Sequence, residues 1–269
     1  MAKIGVIHYN FPGFSFQQFL KFAADTGYGY VELQFPDICD ESFKDAEQRA
    51  ESVRRELASF GLKASALAAH NDFVQLDEEK IRFQVERMRR VAKLAKILDE
   101  ETVIRGEGGA PKDSVPKEKW LDAMYGCFSR CAGFADELQI GIAIDNHGLV
   151  TNDGDLLCAL LRKVNHPRIG ANLDTMNFRW YGHDIAVCNR FYELLAPRAL
   201  HTHFKDGCGS RKDYKGAALG EGEINLQHAL NCLRKAAYNG VFCAEYEGPE
   251  LKDGIGYAKC CRWLQANAG

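Results

Sequence analysis

Short apolar runs alternate with longer amphipathic stretches from one end of the chain to the other. Eight runs read as strands: 3-KIGVIH-8, 30-YVELQF-35, 63-KASALAAH-70, 102-TVIR-105, 140-IGIAID-145, 169-IGANLD-174, 199-ALHTHF-204 and 241-VFCAEY-246. Helical periodicity fills the intervals, at roughly 15–26, 44–60, 77–99, 117–138, 153–164, 184–195, 225–238 and 252–266. Ser15 suits an N-cap, and Asp77 opens a helix with Glu78 and Glu79 in its first turn, where the helix dipole favours anions. Gly27, Gly61 and Gly240 fall just past helices, where a left-handed residue is wanted.

Strict alternation of strand and helix predicts parallel strands joined by right-handed crossovers. Eight such units in 269 residues predict a single-domain (β/α)8 TIM barrel over residues 1–269. The rival is a doubly wound open sheet. It would carry a glycine-rich phosphate turn after the first strand, and here that turn reads 9-YNFPGF-14.

The C-terminal strand ends carry His8, Glu32, His70, Arg105, Asp145, Asp174, His203 and Glu245 in order. In a barrel the loops at that end build the active site. One strand-end aspartate alone is most often a helix cap. The complete set changes that reading, including for 144-IDNHG-148. Residues two apart share a face of a strand, which pairs Asp145 with His147, His201 with His203, and Glu245 with Glu247. Asp145, Asp174, His203 and Glu245 come from the last four strands in succession. Three carboxylates and an imidazole at one mouth repel without a cation, and a divalent metal resolves the repulsion. Oxygen-rich ligation with one nitrogen suits Mn²⁺, Mg²⁺ or Co²⁺ better than a closed structural zinc. The competing reading is a salt-bridge network through Arg105, Lys205 and Arg211.

Charge and composition narrow the function classes. The net charge is 34 − 37 = −3, which argues against nucleic acid as a partner. No apolar run approaches the ~20 residues of a membrane span. The chain opens 1-MAKIGVIHYN-10, without signal-peptide character, and none of its ten cysteines forms a CxxC pair. Together these predict free thiols and a cytoplasmic location.

The segments 27-GYGYVEL-33, 60-FGLKASALAAHNDF-73, 140-IGIAIDNHG-148, 169-IGANLDTMNF-178, 201-HTHFKD-206, 219-LGEGEI-224 and 241-VFCAEYEG-248 carry a resemblance. In order and strand placement the chain resembles the xylose-isomerase-like TIM-barrel superfamily, in its sugar phosphate isomerase/epimerase branch. The resemblance implies a metal held by Asp145, Asp174, His203 and Glu245, with Mn²⁺ foremost and Mg²⁺, Co²⁺ or Zn²⁺ as other occupants. It implies Glu245 and Asp145 as the paired catalytic carboxylates. Substrate contacts are expected from His70, Glu32, His147, Asn177, Lys205 and Arg105. Two positions depart from the family pattern. The family carries a glutamate where this chain has Asp145, one methylene shorter. Many members carry a histidine where this chain has Asn177, which can orient a hydroxyl but not carry a proton.

The implied activity is isomerisation or epimerisation of a sugar or sugar-like polyhydroxylated carbonyl compound, by proton transfer next to the carbonyl. The alternatives are a metal-dependent dehydratase of the inosose or dehydroshikimate type, and a sugar-binding protein with an impaired site. The endonuclease branch, with its multi-zinc cluster, fits the acidic balance poorly. Barrels of this kind often pair, so the resemblance leaves room for a homo-oligomer.

Overall fold

The computed structural model describes residues 2–269. Its elements are β1 (Lys3–Ile7), α1 (Phe16–Thr26), β2 (Tyr30–Leu33), α2 (Phe35–Ile38), α3 (Ala46–Ser59), β3 (Lys63–Ala68), α4 (Glu78–Leu98) and β4 (Val103–Gly106). Then come α5 (Trp120–Glu137), β5 (Ile142–Asp145), α6 (Gly154–Val164), β6 (Ile169–Asp174), α7 (Asn177–Tyr181), α8 (Ile185–Leu195) and β7 (Ala199–Phe204). The chain finishes with β8 (Asp206–Cys208), β9 (Lys215–Ala217), α9 (Leu226–Lys235), β10 (Val241–Ala244) and α10 (Ile255–Asn267).

All eight expected strands form and close a parallel barrel, a single-domain (β/α)8 TIM barrel. The last strand pairs with the first, Gly5 opposite Cys243. Helices cover the outside, and Phe19, Phe73, Phe128, Phe178, Phe191 and Tyr192 are fully buried between the layers. All ten cysteines are free, and only Cys39 and Cys208 are not buried. Among the described residues, no helix is long and apolar enough to cross a membrane.

Local chemistry sets the boundaries. Ser15 and Gln18 form a reciprocal capping box at α1, and the Asp77 side chain accepts from Lys80 N at α4. Gly27 and Gly61 take positive φ as expected, +98° and +71°. Gly240 does not. Helix α9 stops at Lys235, and Ala237 takes the left-handed position instead, at φ +55°. The run 30–35 ends early as a strand. The Asp37 carboxylate accepts from Gln34 N at 2.8 Å, and Pro36 favours a helical turn at α2.

Three elements were not expected: α2, α7 and the antiparallel hairpin β8–β9. The hairpin is fastened by Asp206, whose carboxylate accepts backbone N–H groups of Gly207 (2.8 Å), Gly220 (2.9 Å), Gly222 (3.1 Å) and Ile224 (3.2 Å). Gly216 on β9 lies directly against the segment after β10. A Cβ there would come within 2.4 Å of the Glu247 carbonyl carbon. Glycine therefore lets the hairpin close down beside the barrel mouth.

Candidate functional site

At the C-terminal mouth, β5 and β6 end on Asp145 and Asp174, β7 carries His203, and Glu245 directly follows β10. Parallel strands in register present these side chains at similar depth: Asp174 lies opposite His203, and His203 opposite Cys243. All four are buried, Glu245 being the most open at 8%.

His203 is the hub. Its Nδ1 lies 2.9 Å from Glu245 Oε2, 3.8 Å from Asp174 Oδ2 and 4.0 Å from Asp145 Oδ2. The approach of Glu245 is close but misaligned, so Nδ1 has no hydrogen-bond partner among the described residues. Asp174 Oδ2 has none either. Its other oxygen is used locally, accepting from Met176 N at 2.8 Å and Asn177 N at 2.7 Å to start α7. Buried polar atoms in folded proteins are nearly always satisfied. Two orphans facing each other inside a ring of carboxylates could hold a cation. Asp174, His203 and Glu245 each offer an atom within 4.8 Å of the others. Asp145 stands just outside that group. Its Oδ1 accepts from Asn172 Nδ2 at 2.7 Å and its Oδ2 from Arg105 Nη1 at 3.1 Å.

Electrostatics agree with this geometry. Burial, reinforced by Glu245 and Asp145 and only partly offset by Lys205, pushes the Asp174 carboxyl up to about 8. Burial alone would lower His203, but the negative charges of Glu32 and Glu245 beside it outweigh that and raise it well above the ordinary imidazole value. Burial would likewise raise Glu32, but His203 and Arg105 outweigh it and pull the carboxyl down to about 2. The shifts on Asp174 and His203 both favour a retained proton, whereas Glu32 stays charged against Arg105.

Glu32 was expected to meet substrate. It is fully buried and faces inward, taking His203 Nε2 at 2.6 Å and Arg105 Nε at 2.6 Å. A carboxylate on the far nitrogen of a ligating histidine is a recurrent support for metal binding. Arg105 is buried with it and also reaches Glu107, at 3.1 Å. Lys205 Nζ bridges Glu245 Oε1 (3.0 Å) and Glu247 Oε2 (2.9 Å) and lies 3.3 Å from Asn177 Oδ1. Glu247 therefore meets the same lysine as Glu245, as their shared strand face allows.

His70 and His147 sit at the rim, both exposed. His70 takes φ +48° and places Nε2 3.0 Å from Gln34 Oε1. The His147 backbone is held at both N and O by Thr151 Oγ1. Sequence reasoning missed Asn172, Gln34 and Glu107, whose places at the site depend on neighbouring strands. It also left Asn146 without a role. Asn146 clamps the Asp174 backbone from both sides, accepting from its N at 2.9 Å and donating to its O at 3.0 Å. The clamp joins β5 to β6, which no single-strand pattern reveals.

No curated protein sequence matches this chain significantly. Among solved structures, the IOLI protein with a bound zinc atom is similar at 17% identity and TM-score 0.80, over 99% of this chain and 98% of that one. A D-tagatose 3-epimerase-like protein is similar at 18% identity and TM-score 0.78, over 98% and 96%. The probable 3-DHS dehydratase AsbF from Bacillus anthracis, involved in petrobactin synthesis, is similar at 19% identity and TM-score 0.70, over 99% and 100%. At these identities the likeness speaks for the fold. The sequence profile described as xylose isomerase-like TIM barrel matches residues 20–267, and the chain belongs to that family.

Proposed function

We propose that the protein is a divalent-metal-dependent isomerase or epimerase of a sugar or sugar-like polyhydroxylated carbonyl compound. The observation that carries this reading is the pair of orphaned atoms, Asp174 Oδ2 and His203 Nδ1, ringed by Glu245 and Asp145. Asp174, His203 and Glu245 would hold the cation, with Asp145 completing the set. Oxygen donors with one imidazole suit Mn²⁺, and Mg²⁺, Co²⁺ or Zn²⁺ fit the same donors. A zinc-bound structural relative and an epimerase-like one support the reading.

When bound, the cation supplies Lewis acidity toward a substrate carbonyl and the adjacent hydroxyl. The protein does the rest. Glu245 takes the proton from the carbon beside the carbonyl. Burial opposes its charge, but Lys205 and His203 prevail and keep it ionised, well below the usual carboxylate range. Moving Lys205 from Glu245 to a substrate oxygen would restore basicity as the substrate seats. Asn177 orients a hydroxyl beside Lys205, Asp145 serves as the opposing carboxylate, and His70 and His147 meet the substrate at the rim. Arg105 and Glu32 brace the site from behind.

Elimination of a β-hydroxyl after the same proton loss would make the protein a dehydratase, a reading favoured by its likeness to the probable 3-DHS dehydratase. The test is metal analysis of the purified protein, thermal melting with and without Mn²⁺, and incubation of ketoses and keto-inositols in heavy water. Bound metal, a raised melting temperature and deuterium at the carbon next to the carbonyl are expected. An ultraviolet-absorbing conjugated product would identify the dehydratase. No metal and no melting shift would sink the metal-dependent reading.

A further inference from the structure

A line of buried polar side chains runs through the barrel from the N-terminal mouth to Asp145. Ser65 Oγ lies 3.2 Å from His201 Nε2, and His201 Nδ1 lies 2.9 Å from Asn172 Oδ1. Asn172 Nδ2 then donates to Asp145 Oδ1 at 2.7 Å. None of the four is more than 5% exposed. At the outer end, Ser65 and His201 line a cavity of about 250 Å³ that opens between Lys3, Glu101 and Asn239.

The direction of every bond follows from the Asp145 end. The Asn172 amide presents its NH₂ to Asp145 Oδ1. Its carbonyl oxygen then faces His201 and can only accept. His201 must therefore carry its proton on Nδ1, which leaves Nε2 to accept from the Ser65 hydroxyl. Glu32 Oε2, 3.6 Å from His201 Nδ1, is a second acceptor on the same side and favours the same tautomer. The other oxygen of Asp145 is held by Arg105.

We propose that His201 and Asn172 are positioning residues that act on Asp145 through a one-way hydrogen-bond string, whose polarity Asp145 sets as far as Ser65. The string fixes the Asp145 carboxylate from beneath, committing Oδ1 downward and presenting Oδ2 to Arg105 and His203. It anchors the one member of the ligand set that is a methylene shorter than the family residue. The string depends on neither turnover nor a bound metal.

A substitution at its head should invert it. In Asp145→Asn, Arg105 requires an oxygen, so the new amide must turn its NH₂ toward Asn172. The Asn172 amide then flips, His201 Nδ1 must become the acceptor, and the proton moves to Nε2. The experiment reads the His201 tautomer in ¹⁵N-labelled, metal-free protein by long-range ¹H–¹⁵N correlation, with His201→Gln used to assign the signals. Wild type should show Nδ1–H, and Asp145→Asn should show Nε2–H. Ser65→Ala should keep Nδ1–H, because polarity comes from the other end. Nε2–H or a doubly protonated ring in the wild type overturns the proposal, even if the Asp145 variant fails to fold. An unchanged tautomer in Asp145→Asn, or inversion in Ser65→Ala, also overturns it.

Discussion

The two mouths of the barrel manage charge in opposite ways. At the N-terminal mouth, Lys3 and Glu101 pair at 2.9 Å with side chains 37% and 61% exposed. Water screens such a pair, and forming or breaking it costs little. At the C-terminal mouth, Glu32, Asp145, Asp174 and Glu245 are buried around Arg105, Lys205 and His203. Buried charge is expensive unless paired, and here Asp174 Oδ2 and His203 Nδ1 make no hydrogen bond among the described residues. Packing alone explains the first mouth. The second is costly for a folded chain and makes sense once a ligand supplies the missing charge. The difference singles out the C-terminal mouth as the candidate site without reference to any relative.

The largest effect expected is at Glu245. Glu245→Gln keeps size and one carbonyl oxygen but loses the charge and basicity. Deuterium uptake into a turned-over ketose should fall by at least ~10²-fold, the scale of a lost general base. Glu247→Gln, on the same lysine, should lose far less. Equal losses in the two would overturn Glu245 as the base.

Next is Asp174→Asn, which keeps the Oδ1 cap of α7 and removes the unbalanced carboxyl. Mn²⁺ affinity by calorimetry should drop at least ~10-fold. The metal-free variant should melt no lower than wild type, because strained functional sites trade stability for activity. A variant that binds metal normally would remove Asp174 from the site.

The pH response sharpens the contrast further. The Asp174 carboxyl is raised from 3.8 to about 8, so its contribution to metal-free stability is full below pH ~4 and is lost as pH rises through about 8. Metal must displace that proton. Mn²⁺ affinity should therefore climb toward pH 8, by about tenfold per pH unit for the Asp174 proton and more where the His203 proton is also displaced, while metal-free melting temperature falls. Flat affinity between pH 6 and 8 would mean that Asp174 is ionised without the cation. The smallest effect belongs to the other mouth. Lys3→Ala should change stability by under ~1 kcal/mol and leave metal affinity alone, by calorimetry and denaturant melts.

The barrel was legible because its signal is repetitive: alternating runs, caps such as Ser15 and Asp77, and polar strand ends that register aligns at one mouth. Convergence of Asp174, His203 and Glu245 follows from that alignment. Connections between strands were not legible. Nothing in 169-IGANLD-174 says that Asn172 reaches Asp145, or that Glu32 meets His203 from across the barrel. Strand ends likewise reveal that Glu32 and Arg105 are polar, not that they pair with each other at 2.6 Å. The α2 and α7 turns and the β8–β9 hairpin escaped because each is held by one side chain's backbone contacts rather than by periodicity.

The closing seam between β1 and β10 has a consequence in time. Its partners, Gly5 and Cys243, come from opposite ends of the chain. Contacts that distant in sequence carry the greatest loop-closure cost and are slow to form. Glu245 follows β10 directly, so it reaches His203 only once that strand has docked beside β7. During synthesis, β1 through β7 leave the ribosome before Glu245 does. A cation held by the proposed ligands would therefore not template the early barrel. It would latch one that has already closed.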